Sequence, residues 1–589
     1  MSTAVAPATP EALLERFGLR AFRPGQREAV QAALEGRDSL VVMPTGGGKS
    51  LCYQLPALAG VGLVVVVSPL IALMADQWRR LREGGVDATM LASGMEEGHN
   101  ARALADIAGG RTQLVLAAPE RFGSRAFREA LAQRRVALFV VDEAHCVAEW
   151  GHDFRPDYLR LHSVIASLTR GHEQADPPRP PVMAATATAT ASVAEEIAQR
   201  LGLHDWLSVR SGFDRPNLAF DVVSVEGKGA VARKRAALLH VLADPAARPA
   251  IVYCGTRKDT DAVAALIAER GIATVAYHAG MSPDARRASQ SAFMEGDAEV
   301  VVATNAFGMG VDKADVRTVA HWALPTSLEA YYQEAGRGGR DGQPARALLL
   351  AARMDLGRLI NFINQRETRV DDVKSYVAWL RRDAREGVTE IGSGALGERE
   401  RVLLSIAERA GAVELSPGAG GGLRVLLTGQ GSPRAAYAAI RAAKDRSWES
   451  YRSIERYMTG AAECRRRQIL DHFGDPQEGA PSGRCCDVCD PDPLLERALA
   501  APPVQARRAR AEGAPVLDAA DEARFEQLRA WRSARAEGKP AYTVASNAVL
   551  VELLQQRPAS LATLLEIRGI GPAFCEKHGA SLLEALAGL

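Results

Sequence analysis

Between about residues 36 and 350, short β-branched runs alternate with stretches whose apolar positions recur at helical spacing. The runs at 39–43, 63–68, 114–117, 138–141, 250–253, 273–277, 300–303 and 319–322 are predicted strands. They are apolar at consecutive rather than alternate positions, as strands covered on both faces are. Parallel sheets flanked by helices are therefore expected. The length suits two such sheets in tandem, joined near residues 211–217 (SGFDRPN). Beyond 350 the pattern turns helical. Residues 395–429 read as a helical stretch, then a Gly-rich turn between VEL and LRVLLTG, which together would fit a small winged-helix unit. Residues 493–518 are rich in Pro, Ala and Arg with little apolar period and are predicted to be a linker. Helical periodicity returns afterwards. The predicted boundaries are 1–210 and 211–352 for the two α/β lobes, 353–440 for an insert, 441–492 for a cysteine-bearing module and 519–589 for a small helical domain.

Composition narrows the class. At 589 residues the chain is long enough for several domains, and 47% hydrophobic with 24% charged residues is the balance of a globular protein. Net charge is only +1, so nucleic-acid contact must come from local patches rather than a global field. The first residues (MSTAVAPATPEALLERFG) lack the charged and apolar regions of a secretory signal. The longest apolar run, near 61–67, is too short to span a bilayer. No membrane association and a cytoplasmic location are expected. The eight cysteines should then be mostly reduced.

Three constellations carry nucleotide chemistry. Residues 43–50 (MPTGGGKS) follow an apolar strand and precede a helical run. Thr45, Gly46, Gly47 and Gly48 can curl backbone amides around phosphates, and the helix N-terminus adds its dipole. Lys49 would reach the β- and γ-phosphates and the Ser50 hydroxyl would join Mg²⁺. Met43 stands where the strict pattern has Gly. At the end of strand 138–141, Asp142-Glu-Ala-His145 looks like the metal-and-water end of an ATPase. Asp142 would hold Mg²⁺, Glu143 would polarise the attacking water, and His145 completes the quartet of catalytic candidates. Further on, Gln333, Arg337 and Arg340 fall at four- and three-residue steps, one face of a helix if the helix continues. Arginines presented from a second lobe can neutralise charge developing on the γ-phosphate.

The stretch 142–158 (DEAHCVAEWGHDFRPDY) goes on to interleave Trp150, His152, Phe154 and Tyr158 with Arg155. Rings beside a guanidinium suit unpaired bases, which offer a π-face to stack on and a phosphate to neutralise. In the cysteine-bearing module Cys464 lies on a helical run, and Cys485, Cys486 and Cys489 follow a Gly/Pro loop. Four thiolates from a helix and a knuckle suit tetrahedral Zn²⁺.

Together these residues resemble the RecQ family of superfamily 2 DNA helicases, with the motifs in order over roughly 10–350. Residues 17–26, ending in FRPGQ, resemble the family's adenine-reading motif, which implies Gln26 on the base edge with Arg23 nearby. LCYQLP at 51–56, VSPLIALMADQ at 67–77 and TAT at 186–188 resemble motifs that follow the phosphate loop, grip the DNA backbone and couple the two activities. The aromatic stretch resembles the loop that links DNA binding to ATP hydrolysis. The family's zinc knuckle usually reads C-x-x-C-x-x-C; here Gly483 stands at the first position and Cys485 is the substitute. Residues 525–589 resemble an HRDC domain, on LRAWR at 528–532, PAY at 540–542 and IRGIGP at 567–572.

The resemblance implies an α/β fold of two tandem RecA-like parallel-sheet domains followed by helical zinc-binding and HRDC-like domains. It implies an ATP-dependent DNA helicase acting 3′ to 5′ in repair or recombination, using ATP, Mg²⁺ and Zn²⁺. Its partners would be single-stranded DNA, duplexes with a 3′ tail or fork, and a single-strand-binding protein. A monomer is compatible with the sequence. An RNA helicase or a translocase that does not unwind is the alternative, and a zinc-dependent scaffold with an inactive ATPase core is the rival from another class. The family often places a winged helix after the zinc module, whereas this chain has about ninety residues before it instead.

Overall fold

In a computed structural model of the chain, the described residues are 9–44, 46–60, 62–92, 95, 98–147, 158, 161–168, 179–227, 229–308, 313–365, 367–392, 395–418, 422–460, 462–500, 519–535, 544–545, 547–567, 570–571 and 574–588. Residues 1–503 form one compact unit and 504–589 a second.

The first lobe is a seven-stranded sheet of β1 (Ser39–Val42), β2 (Leu63–Val67), β3 (Ala88–Leu91), β4 (Leu114–Ala117), β5 (Val136–Val141), β6 (Val182–Thr186) and β7 (Leu207–Arg210). Its spatial order is β3-β4-β2-β5-β6-β1-β7, and every pairing is parallel. The second lobe holds β8 (Leu218–Val225), β9 (Ala250–Tyr253), β10 (Thr274–Tyr277), β11 (Val300–Ala303), β12 (Thr318–His321) and β13 (Ala345–Ala352), ordered β10-β11-β9-β12-β13-β8 and again all parallel. The eight predicted strands are present. Five others, β3, β6, β7, β8 and β13, were not expected. β13 (ARALLLAA) explains why: alanine and leucine favour a helix, but pairing between β12 and β8 in a buried sheet overrides that preference.

The insert has its own core of Val377, Leu380, Leu404, Ile406, Leu415 and Val425. Helices Val370–Asp383 and Glu398–Arg409 pack with the first turns of helix Pro433–Thr459 against a three-stranded antiparallel sheet. Its strands are β14 (Val388–Ile391), β15 (Val413–Pro417) and β16 (Leu423–Leu427), in the order β14-β16-β15. The helical run expected from 395 therefore ends at Arg409, and the hairpin gains β14 as a third strand.

The cysteine module lies on β8, the edge of the second sheet. Phe220 N donates to Cys485 O at 3.1 Å, so the knuckle pairs with backbone that would otherwise be exposed. Segment 493–500, predicted to open a linker, instead forms helix Pro493–Ala500. Its Leu495 is buried in the second-lobe core, an apolar anchor hidden by the surrounding polar composition. Among the described residues, no helix is long and apolar enough to cross a membrane.

The second unit is helical, with Ala519–Ala534, Asn547–Gln556 and Ala580–Ala587 closing on Leu528, Leu550, Leu553, Leu564 and Leu582.

Candidate ATP site and zinc centre

Strands β1 and β5 end on the same edge of the first sheet, one strand apart, where open α/β sheets hold ligands. After β1 the chain turns through Gly46 and Gly48, both at φ +83°, into helix Lys49–Leu58. A side chain at Gly48 would run into Gln26 Nε2, so both space and backbone conformation require glycine there. Gln26 is buried, and its amide donates to Gly47 O at 3.3 Å and Gly48 O at 3.1 Å. Its Oε1 accepts from Arg23 N at 2.8 Å, while the Arg23 guanidinium donates to Gly46 O. In this structure Arg23 and Gln26 thus brace the phosphate loop. Lys49 Nζ donates to Met43 O at 3.1 Å, folded back within its own loop. Ser50 occupies the first turn of the helix, and Thr45 lies outside the described residues.

Asp142 is buried at the end of β5. Its Oδ1 accepts from Glu143 N at 3.0 Å, and its carbonyl accepts from the Tyr158 hydroxyl at 3.0 Å. Burial first, then the charge of Glu143, pushes the Asp142 carboxyl up to about 7, with Lys49 pulling the other way. Glu143 sits at φ +48°, a conformation sparsely used by residues with a side chain. That turn leaves its Oε2 at 3.3 Å from His145 Nδ1, which is also 3.0 Å from Thr186 Oγ1. His145 therefore connects the acidic turn to the TAT segment on β6.

Gln333 lies on helix Leu328–Ala335, which Ser327 caps by accepting from Ala330 N at 3.1 Å. The helix stops at Ala335 with Gly336 as its cap, so the single helical face expected for Gln333, Arg337 and Arg340 does not extend to the arginines. They stand in the following turns. The Arg337 guanidinium donates to Gly308 O. Arg340 reaches across to the first lobe: a Cβ at Gly46 would lie 3.7 Å from Arg340 Cγ. The phosphate loop and an arginine from the second sheet thus meet over one cleft.

Trp150, His152, Phe154 and Arg155 lie outside the described residues. The flanking Val147 and Tyr158 are both 1% exposed. Tyr158 is consequently no stacking ring but a core residue aimed at Asp142. Alternation with other aromatics could not distinguish the two roles.

Cys464, Cys485, Cys486 and Cys489 place their sulfurs within 4.8 Å of one another. Cys464 Sγ is 3.6 Å from Cys485 Sγ and 3.9 Å from Cys486 Sγ. Zn–S bonds of about 2.3 Å in a tetrahedron set sulfurs roughly 3.8 Å apart, so the four residues fit zinc. The seat is held by charge. Arg484 grips the fully buried Asp221 of β8 at 2.7 and 2.6 Å, Arg465 pairs with Asp487 at 3.1 Å, and Arg466 reaches Asp214 and, at 2.6 Å, Leu218 O. Asp221 escaped sequence reading because a lone Asp within LAFDVVSV carries no motif.

Residues 23–197 match the DEAD/DEAH box helicase family and 233–342 the helicase conserved C-terminal domain. Residues 429–490 match the RecQ zinc-binding domain and 521–586 the HRDC domain. The chain is 39% identical over 343 residues to the ATP-dependent DNA helicase RecQ of Haemophilus influenzae, across 58% of this chain and 53% of that one. It is 37% identical over 372 residues to the probable ATP-dependent DNA helicase RecS of Bacillus subtilis, across 63% and 72%. Among solved structures, the DUF1998 helicase MrfA bound to DNA aligns with a TM-score of 0.48 at 20% identity, over 73% of this chain and 60% of that one. The chain spans about half the length of the first curated relatives it matches.

Proposed function

The chain belongs to the RecQ family of superfamily 2 helicases, and from that premise we propose that it is an ATP-dependent DNA helicase moving 3′ to 5′ on single-stranded DNA. The observation that carries the reading is the meeting of Gly46 and Arg340 across a cleft whose floor holds Asp142 and Glu143.

In this reading the amides of Gly46, Gly47 and Gly48 cradle the phosphates of ATP, and Lys49 leaves Met43 O to reach the β- and γ-phosphates. Arg23 and Gln26 stand ready for the adenine edge. Ser50 and a deprotonated Asp142 would hold Mg²⁺, which when bound neutralises phosphate charge. Glu143 Oε2 accepts the proton of the attacking water, and His145 keeps that carboxylate in place. Arg337 and Arg340 take up negative charge as the γ-phosphate leaves, while Gln333 monitors the same group from the adjoining helix.

Trp150, His152, Phe154 and Arg155 stack on unpaired bases and bind phosphate, so that hydrolysis depends on DNA. Zn²⁺ holds the cysteine module in shape on the second lobe. Substrates are duplexes with a 3′ tail or a fork, met in repair or recombination in the cytoplasm. A single-strand-binding protein is a partner, the HRDC-like unit adds DNA contact, and the working state is a monomer.

A strand-displacement assay on 3′-tailed, 5′-tailed and forked duplexes, with RNA controls, tests this. ATP-driven release from 3′-tailed or forked DNA is expected. Release from RNA alone, or ATP hydrolysis without displacement, would replace the reading with an RNA helicase or a translocase.

A further inference from the structure

The 27-residue helix Pro433–Thr459 touches both lobes. Near its middle, Arg446 lies 4.0 Å from Glu196 on helix Ala191–Leu201 of the first lobe. Near its end, Tyr457 packs on Tyr331 of helix Leu328–Ala335 in the second lobe, ring centres 5.2 Å apart. Eleven residues separate Arg446 from Tyr457, about 16 Å of stiff rod. The insert adds to the first-lobe end. Arg409 also pairs with Glu196, and Glu408 lies 3.5 Å from Arg200. All five partners are at most 32% exposed, so these pairs are better shielded than ordinary surface pairs.

What this contact leans on is the catalytic turn. Helix Ala191–Leu201 packs on residues 144–147, and β15 lies beside helix Leu161–Ser167. Between insert and lobe is a cavity of about 220 Å³ whose walls include Val147 and Tyr158, the described residues on either side of segment 148–157, together with Arg200, Glu408 and Leu415. In winged-helix units the helix before the hairpin often reads duplex DNA. Here helix Glu398–Arg409 occupies that position, and its last turn is engaged by the first lobe instead.

We propose that Glu196 and Arg200 are positioning residues for ATP turnover: they form the socket through which the insert and its long helix hold the two lobes with Arg340 facing Gly46. Neither touches the nucleotide site. They act by limiting how far the second lobe, covalently continuous with the insert, swings from the first. The proposal rests on the ATPase reading above.

Glu196→Gln removes the charge facing Arg409 and Arg446. It should lower DNA-stimulated kcat about three- to tenfold with KM for ATP within about twofold of the parent, since the phosphate loop is untouched. Arg200→Glu and Glu408→Arg should each impair turnover, and the double variant, with the pair reversed, should regain at least about half of the parental rate. Hydrogen exchange over 398–409 should rise in the single variants and fall back in the double one. Parental turnover in every single variant would overturn the proposal, as would a double variant no better than its parents. A rise in DNA-free hydrolysis would also overturn it, because the socket would then be a brake. If the parent itself shows no DNA-stimulated hydrolysis, the ATPase reading fails, and exchange alone decides the socket: unchanged exchange in Glu196→Gln rejects it.

Discussion

The Tyr158 hydroxyl donates a 3.0 Å hydrogen bond to the carbonyl of Asp142, the residue at the floor of the nucleotide cleft. Segment 148–157 therefore leaves and re-enters the fold at nearly the same place: it departs from the turn after Glu143 and returns at a side chain tied to Asp142. Tyr158→Phe keeps the buried ring and leaves that carbonyl without the donor. A stability loss of about 1–2 kcal/mol is expected in a denaturant titration. DNA stimulation of ATP hydrolysis should fall by more than DNA-free hydrolysis does. Equal loss of both would mean that the bond serves only the fold.

Lys49→Ala should abolish ATP hydrolysis. In the resting loop the ammonium contacts only Met43 O among protein groups within hydrogen-bonding reach, so truncation should leave the thermal midpoint close to the parental value. Near-normal turnover would remove Lys49 from the catalytic set.

Asp221 is fully buried between Arg346 and Arg484, joining β8, β13 and the zinc knuckle. Arg484→Ala leaves the carboxylate one partner and should destabilise mildly. The double variant with Arg346→Ala strands a buried charge and should cost about 3–5 kcal/mol, read as a lowered denaturant midpoint. An unchanged midpoint would show that water reaches Asp221.

One zinc per chain is expected from metal analysis. Cys464→Ser removes the ligand at the start of helix Arg465–His472 and should reduce bound zinc and solubility together. Native protein free of zinc would refute the assignment.

Glu329 on the second lobe accepts from His472 Nε2 at 2.7 Å. Burial alone would raise its pKa, but the hydrogen bond and charge of His472 outweigh that and hold the carboxyl at about 2. Because the folded value is depressed, the pair stabilises above the unfolded value of 4.5 and is lost as pH falls from there toward about 2. The stability gap between parent and Glu329→Gln should therefore be full near pH 5 and shrink steadily below about pH 4. A gap that widened on acidification would contradict this sign.

The two parallel sheets were legible because strands buried on both faces are apolar at every position, a pattern few other structures share. β13 and the helix at Pro493–Ala500 were not, since alanine-rich segments take whichever form their neighbours permit. Lys49, Asp142 and Glu143 could be placed on strand ends from local spacing alone. Arg337 and Arg340 were found by the same means, but their geometry was not, because Gly336 ends the helix that would have aligned them.

The sequence by itself determined the nucleotide loop, the acidic turn, the four cysteines and the lobes that carry them, for each depends on residues close together in the chain. Only the tertiary structure decided which side chains from distant segments meet: Arg340 with Gly46, Tyr158 with Asp142, Asp221 with Arg484, and Glu196 with Arg409 and Arg446. Those contacts join residues tens to hundreds of positions apart, and a single ionic or hydroxyl partner leaves no periodic trace that spacing could reveal.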